Sequence, residues 1–437
     1  MKIPVSLSTA FTEEYESTLR QFLLTEEMIP DETALENDRF LTRSVIPHVE
    51  KLSMLFNRLE HEEVDPDAPP RKPGSPHKQI AVKRVKTGRA GLDPYWKESS
   101  NPENLRLAYF MSFMPPNQAR VASVLTELAR LGFRFQPIPN FRGIEWGAGP
   151  ASGACGVAAA AVHSEIGLPR TGNWALIEQD KKVLGIGERW ATTYFSSVGL
   201  DWSIRPFHRK VDWTRPLLPQ NAPTFHLWLS SYFLNEVEIP LEELAERMVD
   251  NWEFHLENEG LAVLVEPALR LQSRRLLELR KHLLVEFEKP RRKGKYQVLT
   301  PCLGHQACGA LAAPGDWCHE EITWWRPKYL RKIDELAGLD RKTLPFSYLV
   351  VAKSSRTREE LLPAFGAHKT DRLVSPAHKE GRDLEFFVCG EEGKRRTRYR
   401  PESDEEYDEI GRGSVLLNAE LRGDARASRV DRLDGII

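Results

Sequence analysis

Apolar and charged residues alternate at helical spacing at the beginning of the chain. Up to about residue 63, segments such as STLRQFLLTEEM and VIPHVEKLSMLFNRLEHEE predict two or three helices. From residue 104, the segment LRLAYFMSFMPPNQARVASVLTELARLGF predicts a further helix, punctuated by Pro115 and Pro116. The chain therefore opens with helices before its pattern changes.

Seven strand-like apolar runs follow, separated by amphipathic segments of helical period. Because strands alternate with helices, the pattern predicts an α/β fold with a doubly wound, mostly parallel sheet. Residues 370–420 are highly charged and predict a small β-rich appendage. The seven runs are FRGIEW, WALIEQ, WSIRPF, TFHLWLSS, LAVLVEP, YQVLTPC and FSYLVVAK.

These patterns divide the chain into four regions. Within the second region, the stretch from Arg71 to Leu92 contains seven Lys or Arg residues and no acid, which suits a solvated tether and a nucleic-acid-binding arm equally. The regions are an N-terminal helical region at 1–63, a basic linker at 64–98, an α/β domain at 99–353 and a C-terminal β-rich appendage with a tail at 354–437.

Composition narrows the class of protein. With 437 residues, of which 41% are hydrophobic, the chain can build two or three domains with cores of their own. No apolar run reaches the roughly 18 residues that span a bilayer, so we expect no membrane partner. The first residues lack an apolar signal segment and include Glu13, Glu14 and Glu16, which favours a bacterial-type cytoplasmic protein over one of the mitochondrial matrix.

A glycine-rich loop joins the first predicted strand to the helix that follows it. The sequence IEWGAGPASGA contains Gly147, Gly149 and Gly153, with Glu145 just before the first glycine. Glycines let the backbone approach a ligand, and a helix N-terminus offers free N–H groups. Glu178 ends the second predicted strand, where an acid can accept hydrogen bonds from a ribose diol. We therefore favour a nucleoside-cofactor site over a structural tight turn, and the acid-x-G-x-G form resembles an S-adenosylmethionine site.

The fourth predicted strand ends in SSYFLNE, where sheets of this kind place groups that face the substrate. Asn235 and Glu236 are the polar candidates for catalysis there, but they could equally cap the next element. Cys155 belongs to the helix after the glycine loop, so no cysteine lies near this strand to act as a nucleophile.

Four of the five cysteines lie in the last third of the chain. Cys302, Cys308 and Cys318 occur in a segment rich in Gly, Ala and Pro, and Cys389 follows in the strand-like run LEFFVC. Four soft thiolates suit Zn²⁺ or an iron–sulfur cluster. The gaps of five and nine residues are longer than those of tight zinc knuckles, which favours the bulkier cluster but leaves zinc open.

Four basic runs flank the predicted cofactor domain and the cysteine segment. Charge runs usually mark a solvated face, but here Trp and Tyr are interleaved with them, which raises the prospect of RNA contact. The runs are RLQSRRLLELRK, KPRRKGK, WWRPKYLRK and KRRTRYR.

These motifs together resemble one protein family, the methyltransferase-like assembly factors of the small ribosomal subunit found in mitochondria and bacteria. The resemblance covers roughly residues 104–417 and is carried chiefly by the cysteine frame. The matching segments are GIEWGAGPASG, FHLWLSSYFLNE, GLAVLVEPA with the arginine-rich helix after it, and the frame PC…C…DWCH…VCGEEGK.

The resemblance implies a Rossmann-like class I methyltransferase sheet of seven strands with a cysteine-rich insertion at 301–326. It implies a [4Fe–4S] cluster on the four cysteines and S-adenosylmethionine at the glycine loop, with Glu178 on the ribose. Members of the family associate with small-subunit rRNA, so we expect rRNA and the small-subunit precursor as partners, in support of translation. Two alternatives stay open: a catalytically active rRNA methyltransferase, and an iron- or redox-sensing regulator of ribosome assembly.

Overall fold

The computed structural model describes residues 11–58, 101–403, 406–407 and 410–437. The predicted basic linker at 64–98 lies outside the described residues. No helix in the described ranges has the length and apolar character needed to cross a membrane.

Within residues 11–58, three helices precede the α/β body and pack directly on it. They are α1 (Glu13–Thr25), α2 (Asp38–Ser44) and α3 (Ile46–Arg58). Tyr15 and the apolar residues of α1 share one hydrophobic core with the body, and the Tyr15 hydroxyl donates a 3.0 Å hydrogen bond to Gln118. The Glu16 carboxylate accepts the backbone N–H of Lys328 at 2.7 Å, which caps a helix more than 300 residues later in the chain. The N-terminal helices are therefore part of the main core.

The next helix, α4 (Pro102–Arg130), continues through Pro115 and Pro116 as one element. Asn101 caps the N-terminus of this helix, because its side-chain oxygen accepts a hydrogen bond from the backbone N–H of Asn104. Both prolines are buried, so apolar packing around them supports a helix that the proline pair alone would interrupt.

The strands of the main sheet are β1 (Phe141–Trp146), β2 (Thr171–Glu178), β3 (Asp201–His208), β4 (Phe225–Ser231), β5 (Leu256–Pro267), β6 (Tyr296–Thr300), β7 (Glu320–Thr323) and β8 (Thr343–Lys353). Their order is β3-β2-β1-β4-β5-β8-β6, and β7 pairs with β8. The first five strands in this order are parallel, and β8 runs antiparallel between β5 and β6. This is the arrangement of class I methyltransferases, so the predicted fold class is confirmed.

Helices cover both faces of this sheet. They are α5 (Ser152–His163), α6 (Lys181–Ser197), α7 (Leu241–His255), α8 (Arg270–Phe287), α9 (Lys328–Ala337) and α10 (Arg358–Leu361). Alternate residues of β5 enter different cores: Leu261 and Val263 pack with α4, α5 and α6, whereas Ala262 and Leu264 pack with α7 and α8.

A second sheet forms the β-rich appendage that the sequence predicts, and its order is β14-β15-β12-β11-β9-β13-β16, with β10 on β11. Leu384, Phe386 and Val388 of β11 point into a small core of its own. The strands are β9 (Thr370–Leu373), β10 (His378–Glu380), β11 (Asp383–Gly390), β12 (Gly393–Tyr399), β13 (Val415–Leu417), β14 (Glu420–Gly423), β15 (Ser428–Arg432) and β16 (Gly435–Ile436).

Arg372 of β9 joins the two sheets through a buried ionic network. Its guanidinium pairs with Glu127 of α4 and, at 2.7 Å, with Glu320 of β7. Tyr348 of β8 donates its hydroxyl to Glu127 at 2.7 Å. Because buried charges need both a counter-charge and hydrogen bonds, this network fixes how the second sheet sits on the first.

Candidate functional site

The glycine loop lies where the strand order reverses, at the carboxyl end of β1 and beside β4. This switch point is where open α/β sheets bind ligands. Gly147, Gly149 and Ala151 all have positive φ angles, of 64°, 51° and 61°. A Cβ atom at Gly147 would lie 2.5 Å from the ring of Phe233, so only glycine fits that position. The loop is thus held in one unusual backbone conformation.

Glu145 and Gly153, both predicted to bind the cofactor, contact each other. The Glu145 side chain is 1% exposed, and its carboxylate accepts the N–H groups of Gly153 at 3.0 Å and Ala154 at 2.8 Å. A Cβ atom at Gly153 would lie 2.3 Å from the same carboxylate. Burial raises the pKa of Glu145 to about 8, although the two backbone N–H groups oppose that rise. Glu145 therefore caps α5 and shapes the loop from inside the protein.

Glu178 ties the glycine loop to the end of β2. Its Oε2 atom accepts the N–H of Gly149 at 2.9 Å, and its Oε1 atom accepts the N–H groups of Gln179 and Asp180 at 2.7 and 2.9 Å. Burial raises the pKa of Glu178 despite these bonds. The side chain is half-buried, and a carboxylate has about four acceptor sites, so Oε2 retains capacity for a ligand hydroxyl.

Tyr109 of α4 adds a group that the sequence did not single out. A Cβ atom at Gly149 would lie 3.5 Å from the Tyr109 hydroxyl oxygen, which places the phenol beside the loop. Burial, together with the negative charges of Glu178, Glu236 and Glu145, raises the pKa of Tyr109 well above its ordinary value. The catalytic candidate Glu236 therefore lies near the loop, and a neutral phenol stands among three acids.

Asn235, the other catalytic candidate, is engaged by Glu266. The Glu266 Oε2 atom accepts the Asn235 side-chain amide at 2.9 Å and its backbone N–H at 3.2 Å. The Oε1 atom accepts the N–H groups of Phe233 and Leu234 at 3.2 and 2.9 Å. Burial raises the pKa of Glu266 to about 7. Glu266, at the end of β5, thus fixes the turn after β4, and sequence reasoning missed it because its partners lie about thirty residues away.

The four predicted metal-ligand cysteines line one cavity that opens to solvent. Cys302 follows β6, Cys308 begins a short 3-10 turn, and Cys318 precedes β7, so all three belong to the segment 301–326, here called the cysteine loop. Cys389 comes from β11 of the second sheet. The structure therefore brings together thiols from two sheets, and it keeps Cys155 apart in the core behind the glycine loop.

Burial raises the pKa of three of these thiols. It raises the pKa of Cys302 and Cys318, and it raises the pKa of Cys389 to about 12, with neighbouring cysteines adding to the rise in each case. Neutral thiols must lose their protons when they bind a metal, so metal binding here releases protons. No three His, Cys, Asp or Glu side chains within the described ranges converge closely enough to hold a single metal ion.

Arg280 of α8 lines the same cavity and is only 2% exposed. Its guanidinium donates to the carbonyl of Gly304 at 2.6 Å and to that of Gln306 at 3.1 and 3.2 Å, and its Nε–H is buried without an acceptor. No carboxylate in the described part of the chain forms an ion pair with it. An unpaired buried cation is costly, so the cavity is suited to an anionic occupant.

The predicted basic runs are partly turned inward. Arg274 donates to three carbonyls of the cysteine loop, at Ala310, Ala313 and Asp316. Arg292 is buried and pairs with Glu286 and Asp250. Much of the first two runs therefore holds the fold, whereas the fourth run, on β12, keeps half-exposed arginines.

Similar solved structures include a putative SAM-dependent methyltransferase from Streptococcus mutans (12% identity, TM-score 0.30), TrmN from Thermus thermophilus (15%, 0.29) and the Methanococcus jannaschii fibrillarin pre-rRNA processing protein (12%, 0.28). They cover 52%, 55% and 55% of this chain, which in turn covers 47%, 52% and 76% of theirs. The chain thus spans about half the length of the first two. The strand order β3-β2-β1-β4-β5-β8-β6 is the one that identifies the class I methyltransferase fold in this chain.

No curated protein matches this chain. A family model described as "Mitochondrial small ribosomal subunit Rsm22" matches residues 104–405, which is well over half of the chain and includes the glycine loop and all four cavity cysteines. The chain therefore belongs to the mitochondrial small ribosomal subunit Rsm22 family.

Proposed function

We propose that this protein is an rRNA-binding assembly factor of the small ribosomal subunit that carries a [4Fe–4S] cluster and binds S-adenosylmethionine. The observation that carries this proposal is the convergence of four cysteines, three from the cysteine loop and one from β11 of the second sheet, on one cavity in a chain of the Rsm22 family. The family description names the small ribosomal subunit, which supports that particle as the partner.

The donor set and the charge of the cavity both suit a cluster. Cys302, Cys308, Cys318 and Cys389 would hold it, and a cluster with four thiolates is a net anion that the buried Arg280 can balance. A single zinc ion requires all four sulfurs at about 2.3 Å from one point. In a cluster each cysteine binds a different iron, so wider thiol spacing is tolerated. When bound, the cluster would supply a rigid link between the cysteine loop and the second sheet.

Three features of the glycine loop support S-adenosylmethionine as the second cofactor. The loop lies at the switch point of a class I methyltransferase sheet, and Glu178 stands at the end of β2 in reach of a ribose. The acids Glu178 and Glu236 surround the loop with negative charge, which suits a cationic sulfonium ligand. When bound, this cofactor would supply an electrophilic methyl group.

An active rRNA methyltransferase is the second candidate. It is favoured by the position of Glu236 and Tyr109 beside the glycine loop, where an acid and a phenol could contact a substrate base. It ranks second because the side-chain amide of Asn235 is committed to Glu266. Mass mapping of small-subunit rRNA from a deletion strain tests it, and a modification map identical to that of the parent strain would remove this candidate.

Sedimentation of cell extracts tests the leading proposal. A tagged wild-type protein should migrate with small-subunit particles and not with large-subunit particles. The double variant Cys302→Ser/Cys318→Ser should lose iron and leave those fractions, whereas Cys155→Ala, which changes a cysteine outside the cavity, should keep both. A wild-type protein that never sediments with small-subunit particles would overturn the proposal.

A further inference from the structure

Three arginines lie side by side across the solvent-facing side of the second sheet. Arg398 of β12 is opposite Arg429 of β15, and Arg429 is opposite Arg422 of β14. The side chains of Arg398 and Arg429 are each 49% exposed, and Arg422 is exposed as well. Like charges directly opposite each other destabilise a sheet. This row of three arginines therefore does not stabilise the second sheet.

Strand β12 and the residue after it extend this row. Lys394 and Arg396 alternate with inward-facing residues such as the buried Thr397, so they share the solvent-facing side with Arg398. Arg400 directly follows the strand and contacts Asp383, as Arg429 does, on the same side. We call this side of the sheet, with Arg396, Arg398, Arg400, Arg422 and Arg429, the arginine face.

Carboxylates on the arginine face neutralise it only in part. Glu385 is shared by Arg396 and Arg398, Asp383 is shared by Arg400 and Arg429, and Glu380 also contacts Arg398. Arg422 has no ion pair within the described residues. Exposed ion pairs contribute little net stability, so shared guanidinium groups stay available to a stronger anion such as a phosphate.

Two exposed aromatic rings border the arginine face near the cysteine cavity. Phe387 is 39% exposed, lies opposite Arg396 in the β11–β12 ladder, and has the Lys394 ammonium 4.9 Å from its ring centroid. Lys394 also pairs with Asp316 at 2.5 Å, and the next residue, Trp317, is 37% exposed. Large apolar rings left in water beside cations are suited to stacking with unpaired bases.

We infer that the arginine face, with Phe387 and Trp317, is a binding surface for an unpaired segment of RNA. The arginines would contact phosphates, and the two rings would stack on bases. An acidic protein would satisfy the guanidinium groups but gives no reason for the exposed rings, so RNA is favoured. Because Cys389 lies two residues from Phe387 on the same side of β11, the surface ends at the cysteine cavity. This inference rests on the proposed function and names the part of the chain that contacts rRNA.

Binding measurements on the full-length, metal-loaded protein test the inference. The probes are a short labelled single strand from small-subunit rRNA and the matching duplex. The Kd for the single strand should rise at least about tenfold in the triple variant Arg398→Gln/Arg422→Gln/Arg429→Gln. The slope of log Kd against log salt should fall by about 2 in this variant, since each lost phosphate contact removes about 0.7 from the slope. The control Arg39→Gln/Arg43→Gln/Arg215→Gln makes the same charge change on exposed arginines elsewhere and should bind like the wild type.

Two further variants separate charge from stacking. Arg398→Lys/Arg422→Lys/Arg429→Lys should keep the wild-type salt slope, because the positive charges remain. Trp317→Ala/Phe387→Ala should weaken binding of the single strand while it leaves the salt slope and the binding of the duplex unchanged. Equal melting temperature and iron content across the set confirm intact folding.

The outcomes distinguish the inference from the proposed function. If the wild type binds small-subunit RNA and the Gln variant binds it equally well, the inference is wrong while the proposed function stands. If the Gln variant keeps its RNA affinity but leaves the small-subunit fractions, the arginine face docks a protein and the RNA inference is again wrong. If the wild type neither binds small-subunit RNA nor sediments with the particles, the proposed function itself fails.

Discussion

Replacing Arg280 by methionine tests whether the cysteine cavity is built for an anion. Methionine keeps an unbranched side chain but removes the charge and the donors to the carbonyls of Gly304 and Gln306. Each buried carbonyl that loses its donor costs about 1–3 kcal/mol, so the two together cost about 2–6 kcal/mol. In metal-free protein this loss is opposed, because removal of an unpaired buried charge is itself stabilising.

The variant should therefore affect the two states of the protein differently. Arg280→Met should lower the free energy of unfolding of the metal-loaded protein by several kcal/mol more than that of the metal-free protein, an estimate from the same hydrogen bonds and charge. Urea unfolding of both states under anaerobic conditions measures this difference. The decay of visible absorbance in the presence of a chelator measures loss of the cluster, which should be faster in the variant.

Arg274→Met is the matched control. Arg274 also holds the cysteine loop through three carbonyls, but it does not line the cavity. Its loss should destabilise both states about equally. If Arg280→Met also destabilises both states equally, or leaves the lifetime of the cluster unchanged, the guanidinium only holds the cysteine loop in place. The hypothesis that its charge balances an anion in the cavity would then be wrong.

Three other predictions follow from the geometry. Gly147→Ala should weaken S-adenosylmethionine binding at least about tenfold in calorimetric titration, because a left-handed backbone costs alanine about 1–2 kcal/mol and its methyl group would meet the ring of Phe233. An unchanged affinity would count against a cofactor site at this loop. Burial raises the pKa of Glu266 from 4.5 to about 7, so the free energy of unfolding of the wild type should fall as pH rises through that range. In urea unfolding, Glu266→Gln should therefore gain about 3 kcal/mol relative to the wild type between pH 5 and 8, and a difference independent of pH would refute this. Arg372→Met leaves Glu127 and Glu320 buried without their counter-charge and should cost about 3–5 kcal/mol by the same assay, whereas a loss below 1 kcal/mol would show that the network relaxes.

The main sheet could be predicted from the sequence because its strands are local apolar runs. All seven predicted runs are strands, from Phe141 to Lys353. The eighth strand, β7, was missed because Glu320–Thr323 is a four-residue segment, EEIT, with little apolar character and lies inside the cysteine loop. It forms because β8 offers it a free edge, from Thr343 to Phe346, and a pattern within the four residues of β7 cannot show that edge.

The candidate sites were predictable by residue type but not by role. The spacing of Glu145 and Gly153 predicts a tightly turned loop that binds a cofactor. Only the fold shows that the two residues contact each other inside the loop. Tyr109 could not be found because it comes from α4, before the sheet begins. Arg280 looks in the sequence like any other member of a basic run, and its burial depends on the distant cysteine loop.

For the four cysteines, the sequence predicts the ligands of a metal site but not how they come together. Their clustering in the sequence predicts a metal site, but the distance from Cys318 to Cys389 along the chain says nothing about how they meet. They meet because β11 of the second sheet is held on the first sheet by the ionic network around Arg372. A site assembled from two sheets depends on contacts that no local pattern encodes.

Metal and sulfide analysis of the anaerobically purified, full-length protein tests whether the four cysteines hold a [4Fe–4S] cluster. We expect about four iron and about four acid-labile sulfide per chain, lost together when Cys389 is replaced by serine. A single zinc per chain, or a protein that purifies without metal and still sediments with small-subunit particles, would contradict it.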